Sequence, residues 1–168
     1  RAGQQLHEQD FRALSQSCPA SLTFNDQVSL HFNGESVTAY HVAEGHTDGD
    51  SIIHFPESNV VHMGDMFFFG LYPFIDLDAG GSVLGVIKAA ELAISLSDEN
   101  TQIIPGHGPM ATLEDLKGYR DYLARATANV QALIDKGMDL EQVVDARPTA
   151  EWDEELGKTW ITPAQLTI

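Results

Sequence analysis

Three residues in this chain have the type and setting to do chemistry: His46, Asp65 and His107. His46 lies in Glu44-Gly45-His46-Thr47-Asp48-Gly49-Asp50, a Gly- and Asp-rich stretch that follows a strand-like run and suits neither strand nor helix. An imidazole on such a loop projects beyond the end of a sheet, where a ligand can meet it. His107 sits in Pro105-Gly106-His107-Gly108-Pro109, where two prolines and two glycines fix the backbone around one ring. Asp65 follows Val60-Val61-His62-Met63-Gly64, in a third expected strand-end loop, and precedes Met66-Phe67-Phe68-Phe69. That puts a carboxylate at the edge of an apolar wall, where it needs a cation or hydrogen bonds. Each signal alone also fits a surface histidine or a turn. Together, at three strand ends, they fit a shared metal site, and imidazole plus carboxylate favours zinc.

The elements that must position these residues are legible as patterns. Ser21–Phe24, Val28–Phe32 and Ser36–His41 alternate apolar and polar residues, with the turn dipeptides Asn25-Asp26 and Asn33-Gly34 between them. Ser51–Phe55 and Asn59–Met63 read as two more strands, completing a β-meander. Val83–Leu96 places Val83, Val86, Ile87, Ala90 and Ile94 on one helical face behind a Ser82 N-cap. Gln102–Ile104 reads as a short buried strand. Thr112 and Asp115 resemble a capping box opening a long helix to about Lys136, stopped by Gly137. Leu140–Ala146 is a last short helix, and residues 148–168 form an acidic arm without clear period, holding Trp152 and Trp160. A short helix is expected near Gln4–Ser15 in an otherwise irregular lead-in over residues 1–20. His31, His41, His54 and His62 fall within strand-like runs and read as strand-face residues. The order of strands, helix, strand and helices predicts one α+β domain over residues 1–168.

Composition narrows the partners. With 25 acidic against 9 basic residues the formal charge is −16, a field that repels nucleic acid. No run approaches the ~18 apolar residues of a membrane span. The one cysteine, Cys18, excludes an intrachain disulfide and leaves the compartment, cytoplasmic or periplasmic, undecided. The chain opens at Arg1 without an initiator Met, so a processed or cut amino terminus is expected.

Gly45-His46-Thr47-Asp48-Gly49-Asp50-Ser51, then Gly64-Asp65, then Pro105-Gly106-His107-Gly108 resemble the last three signature motifs of the metallo-β-lactamase superfamily, in order and at family-like spacing. The resemblance runs from about Ser21 to about Gly137, and Gly70-Leu71-Tyr72-Pro73-Phe74-Ile75-Asp76 resembles a bacterial branch of metal-dependent hydrolases. It implies half of an αβ/βα sandwich, mainly antiparallel sheet with helices on one face. It implies that His46 is the third histidine of a first zinc, that Asp65 bridges two metals and is the catalytic carboxylate, and that His107 belongs to the second zinc. Asp48 and Asp50 are either partners orienting His46 or turn residues. Tyr72 and Phe74 either line a substrate pocket or pack. In the intact family two zinc ions activate a water as hydroxide, which attacks an ester, thioester, lactam or phosphoester of a small-molecule substrate. An aspartate at position 65 points away from a dedicated β-lactamase.

The departure from the family matters equally. The leading motif His-x-His-x-Asp-His is absent: no two histidines are separated by one residue, and no Asp-His pair occurs. Half the ligands are therefore missing, and the chain reads as the carboxy-terminal half of a truncated enzyme, inactive alone and holding one zinc or none. The alternatives are a non-catalytic partner-binding subunit or a relic fragment; a di-iron redox protein is a weaker third. A sheet built to pack on a second sheet predicts a homodimer, or a complex with the missing amino-terminal half.

Overall fold

The computed structural model describes residues 22–158 and 161–167. Strands β1 (Gln27–Phe32) and β2 (Glu35–Val42) form a hairpin across Asn33-Gly34. Both turn residues have left-handed backbone, φ 52° and 80°, as a turn matched to strand twist requires. Strands β3 (Asp50–Phe55) and β4 (Val60–Phe68) continue the meander, each antiparallel to its neighbour. Helix α1 (Val83–Ser95) then crosses over, so that β5 (Gln102–His107) returns parallel to β4. The sheet order is β1-β2-β3-β4-β5. Helices α2 (Leu113–Ile134), α3 (Leu140–Asp145), α4 (Asp153–Leu156) and α5 (Pro163–Thr167) follow. The structure is thus an α+β fold with a mainly antiparallel sheet. No helix among the described residues is long and apolar enough to cross a membrane.

The helix starts were written in the sequence. The Ser82 hydroxyl accepts from the Leu84 N–H at 3.2 Å. Thr112 and Asp115 make a reciprocal capping box, Thr112 N–H to Asp115 Oδ2 at 2.8 Å and Asp115 N–H to Thr112 Oγ1 at 3.2 Å. Each such cap stabilises a helix by about 1 kcal/mol. One face of the sheet buries Ile52, Val61, Met63 and Ile103 against Val86, Ala89 and Ala90 of α1 and Leu116 and Leu123 of α2. Gly85 lets α1 come this close: a Cβ there would overlap the carbonyl of Glu44.

The opposite face is different. The register aligns Val28, Ala39, Ile53, His62 and Ile104 across all five strands. Beside them stand Leu30, Val37, Phe55 and Val60, and none of these nine residues is buried. Leu30 and Phe32 are 54% and 70% exposed. No described helix covers this face.

Three sequence expectations change. The strand expected at Ser21–Phe24 is not formed over residues 22–24. β1 is therefore the edge of the sheet formed by the described residues. Asp65 is not in a loop after β4 but inside it, because β4 runs on to Phe68. The arm after Pro148 contains two short helices, α4 and α5. The helix expected at Gln4–Ser15, Cys18 and Trp160 lie outside the described residues. Trp152 covers the core, its ring 5.9 Å from Tyr122 and under the Arg125 guanidinium at 5.2 Å.

Candidate metal centre

Three backbone devices aim three side chains at one place. The first is the loop carrying His46, which is stitched to residues 76–82. Asp76 N–H donates to His46 O at 2.9 Å, Ser82 N–H to Gly45 O at 2.9 Å, and Asp48 N–H to Ala79 O at 3.0 Å. Gly81 permits this contact, since a Cβ there would overlap the His46 carbonyl. The second is an irregularity in β4, where pairing with β5 slips on both sides of Gly64. Gly64 has φ +52°, and such a bulge re-aims the side chain that follows it, here Asp65. His62 supports it, its Nδ1 accepting from the Gly64 N–H at 3.1 Å. The third is the turn after β5, clasped at its base by two hydrogen bonds of 2.9 Å between Ile103 and Ala111. His107 ends β5, with its ring stacked on Phe68 at 4.6 Å.

Together they bring His46, Asp65 and His107 into contact, as the sequence predicted. His46 Nε2 lies 3.8 Å from Asp65 Oδ2, and His107 Nε2 lies 3.4 Å from Asp65 Oδ1. Each carboxylate oxygen therefore faces a different imidazole. The His46 side chain is 16% exposed and the other two 42%, so the cluster is open on one side. His46 Nδ1 lies 2.8 Å from the Phe74 carbonyl. A carbonyl can only accept, so Nδ1 carries a hydrogen and Nε2 is the ring nitrogen presented to Asp65. That is the arrangement by which an outer carbonyl orients a metal-binding histidine. Two donors each ~2.0–2.2 Å from a tetrahedral zinc lie roughly 3.3–3.6 Å apart, a spacing that the His107–Asp65 pair meets and the His46–Asp65 pair exceeds. Among the described residues no three His, Cys, Asp or Glu side chains close around a single point. The three residues form an open line with the carboxylate in the middle, not a cage.

The expected supporting residues are placed otherwise. Asp50 accepts from the Thr47 N–H at 2.9 Å and hydroxyl at 2.8 Å, so it folds the loop and does not bind the His46 ring. Asp48 contributes backbone: its carbonyl lies 2.8 Å from His41 Nε2. The orienting role falls to the Phe74 carbonyl, which no side-chain pattern could have revealed. Phe74 itself is 41% exposed, with its ring 5.6 Å from that of His46. Tyr72 does not line a pocket. It is 1% exposed, and its hydroxyl donates to Asp153 Oδ1 at 2.9 Å. Burial tends to raise the Asp153 carboxyl, but hydrogen bonds from Arg147, Thr149 and Tyr72 outweigh this and hold it below the usual carboxylate range. Burial and the bond to Asp153 push the Tyr72 phenol well above its ordinary value. The signal that could have found Gly106 was its place beside His107. A Cβ at Gly106 would overlap Asp65 Oδ1.

No family model and no curated relative matches the sequence. Solved structures do. A metallo-β-lactamase from Pontibacter korlensis superposes with a TM-score of 0.55 at 16% identity, over 68% of this chain and 53% of that one. A stereoselective inverting sec-alkylsulfatase from Pseudomonas sp. gives 0.66 at 14% identity, over 89% of this chain and 26% of that one. A B3 metallo-β-lactamase gives 0.52 at 22% identity, over 64% and 50%. The chain thus has the metallo-β-lactamase fold, and its neighbours in structure are superfamily hydrolases. It spans between a quarter and just over half the length of these structures.

Proposed function

We propose that this chain supplies one half of the active site of a metal-dependent hydrolase, with zinc as the metal. The observation that carries the reading is the divided carboxylate: one Asp65 oxygen faces His46 and the other His107, at 3.8 and 3.4 Å. Such a carboxylate suits two adjacent metal positions, which are ~3.5–4 Å apart in two-metal sites. His46 would serve the first position, His107 the second, and Asp65 both. When bound, the metals would activate water and stabilise the developing oxyanion at an ester, thioester, lactam or phosphoester. Asp65 would hold the two positions at fixed spacing, and its open side would admit the small-molecule substrate. The Phe74 carbonyl keeps His46 Nε2 turned toward the site. The stitched loop and the clasped turn hold the backbone on either side of the carboxylate.

Catalytic zinc normally has three protein ligands and an open position, and three ligands shared between two positions fall short of that. The remaining ligands are proposed to come from further polypeptide, in the same protein or a partner. The isolated chain is therefore expected to bind less than two zinc ions, weakly, and to turn over no chromogenic β-lactam or thioester. Zinc titration by calorimetry, with elemental analysis after dialysis, tests this. Residual binding should vanish in His46→Ala and on chelation. Two tightly held zinc ions, or turnover abolished by His46→Ala, would contradict the half-site reading. The second reading, a partner-binding subunit without catalysis, is favoured by the uncovered apolar sheet face at Leu30 and Phe32. A sulfate ester joins the substrates to assay once the site is completed, since one neighbour in structure is an alkylsulfatase.

A further inference from the structure

Beside the Phe74 segment lies a cavity of about 400 Å³ between α2, α5 and residues 73–77. Its size is that of a small-molecule pocket. Leu77, Val83, Leu123, Ala126, Val130 and Leu166 line it, and no charged side chain does.

The polar residues in its wall are nearly all spent. The Thr127 hydroxyl donates to Leu123 O at 2.8 Å, Thr149 to Asp153 Oδ1 at 2.8 Å, and Thr167 to Pro163 O at 2.8 Å. Gln165 Oε1 accepts from the Thr162 N–H at 2.9 Å and sits 3.0 Å from its hydroxyl. With these groups turned to the protein, the wall offers a guest a mainly apolar surface. A charged or richly hydroxylated guest would lose its hydration and find no partners. A saturated chain would lose nothing.

The cavity is also tied to the metal centre by one residue. Phe74 lines it, while the Phe74 carbonyl holds His46 Nδ1 and its ring stands 5.6 Å from the His46 ring. Leu77, at the cavity wall, is 62% exposed, leaving an apolar lip where a chain can enter.

We infer that this cavity is a binding site for an unbranched aliphatic chain, the apolar tail of a substrate whose cleavable polar head lies at Asp65. The assignment of head and tail rests on the hydrolase reading; the occupancy of the cavity by a chain does not. Binding of straight-chain alkanols from butanol to decanol, measured by calorimetry on chelator-treated protein, separates the two. Each added methylene should tighten binding about fourfold until the cavity is full, following ~0.8 kcal/mol per buried methylene. Ala126→Trp, which fills the cavity from α2, should abolish the series, whereas Leu30→Asp should leave it unchanged. A flat response to chain length, or a series that survives Ala126→Trp, overturns the inference. Where Ala126→Trp fails to fold, the unaltered protein decides with a decanol bearing a terminal diazirine. Crosslinks within residues 123–130 and 161–167 support the site, and crosslinks confined to β1 and β2 overturn it. If the alkanol series holds but no completed enzyme cleaves any ester, the hydrolase reading fails alone.

Discussion

Tyr122 and Tyr72 stand 6.4 Å apart, ring to ring, and have opposite energetics. Tyr122 is 9% exposed, and its hydroxyl has no hydrogen-bond partner among the described residues. Burial pushes its phenol well above the ordinary value, so it stays neutral. A buried hydroxyl left unpaired costs about 1–3 kcal/mol of desolvation. Tyr122→Phe removes that group and keeps the ring contacts with Tyr119 and Trp152, at 5.4 and 5.9 Å. Its melting temperature should match or exceed that of the parent. Tyr72→Phe deletes a hydrogen bond to a buried carboxylate and should cost about 1.5–3 kcal/mol, a fall of roughly 3–12 °C at this chain length. Calorimetric melts of both variants check the contrast; a marked loss in Tyr122→Phe would mean that its hydroxyl has a partner. At the same scale, residue type and neighbours marked His46 and His107 as candidates, and the motif resemblance joined them to Asp65. Their orienting partners were not legible, because a carbonyl looks alike at every position of a sequence.

The elements that carry the site are short segments held by backbone contacts, and glycine decides how close they come. Gly106→Ala puts a methyl where Asp65 Oδ1 and the Gly64 backbone stand. It should destabilise the fold by about 1–3 kcal/mol and weaken residual zinc binding about 10–100-fold, the scale seen when a ligand's support is lost. Paired melts and zinc titrations would show this, and unchanged zinc affinity would remove Asp65 from the site. The loop bearing His46 has a pH-sensitive tether as well. His41 Nε2 lies 2.8 Å from Asp48 O and Nδ1 lies 3.0 Å from Asn25 O. Both nitrogens can donate only when the ring is protonated. The Asp48 carbonyl is the largest cause of a raised His41 pKa, opposed by burial and helped by Asn25 O and the Asp48 and Asp26 charges. A raised pKa stabilises the fold fully below the unfolded value of ~6.5, and the contribution is lost as pH rises through the folded value. An NMR titration of His41 should give a midpoint above 6.5. Loss of loop hydrogen-exchange protection should follow the same midpoint. The caps, the meander and the helices were legible because their signals are local. The bulge at Gly64 was not: it depends on slipped pairing with β5, some forty residues away, and so Asp65 read as a loop residue.

For the molecule as a whole, the two faces of the sheet have unequal fates. One is closed by α1 and α2, while the other leaves the Val28–Ile104 row and its neighbours without a described cover. At about 25 cal/mol per Å², hiding ~600 Å² of apolar surface offers roughly 15 kcal/mol of gross driving force, from which association entropy and side-chain ordering subtract heavily. The surplus is expected to favour a homodimer or a complex with a completing half over a monomer. The −16 charge opposes random aggregation and leaves the specific contact. Sedimentation at micromolar concentration should show the assembly, and Ile53→Asp should return it to monomer. A monomer that binds no apolar dye would sink the expectation. This uncovered face was foreseeable because strands Val28–Phe32 and Ser51–Phe55 carry apolar residues at a period of two on the side away from the helices. Which surface meets it was not, since no partner is written in one chain's pattern.

The parallel pairing of β5 on β4 also sets an order of events. The first four strands are joined by two short turns and the seven-residue loop that carries His46, so each pairing closes only a short loop and can form early. β5 cannot join until α1 has crossed the sheet, and Val61 and Ile103 pair across more than forty intervening residues. The strands that flank His46 and carry Asp65 belong to this early, local part of folding, whereas the bulge that aims Asp65 and the placing of His107 wait for β5. During synthesis the growing chain would carry two of its three site residues before the third can arrive. On the proposed reading, a metal held between Asp65 and His107 would have to wait until the crossover has docked.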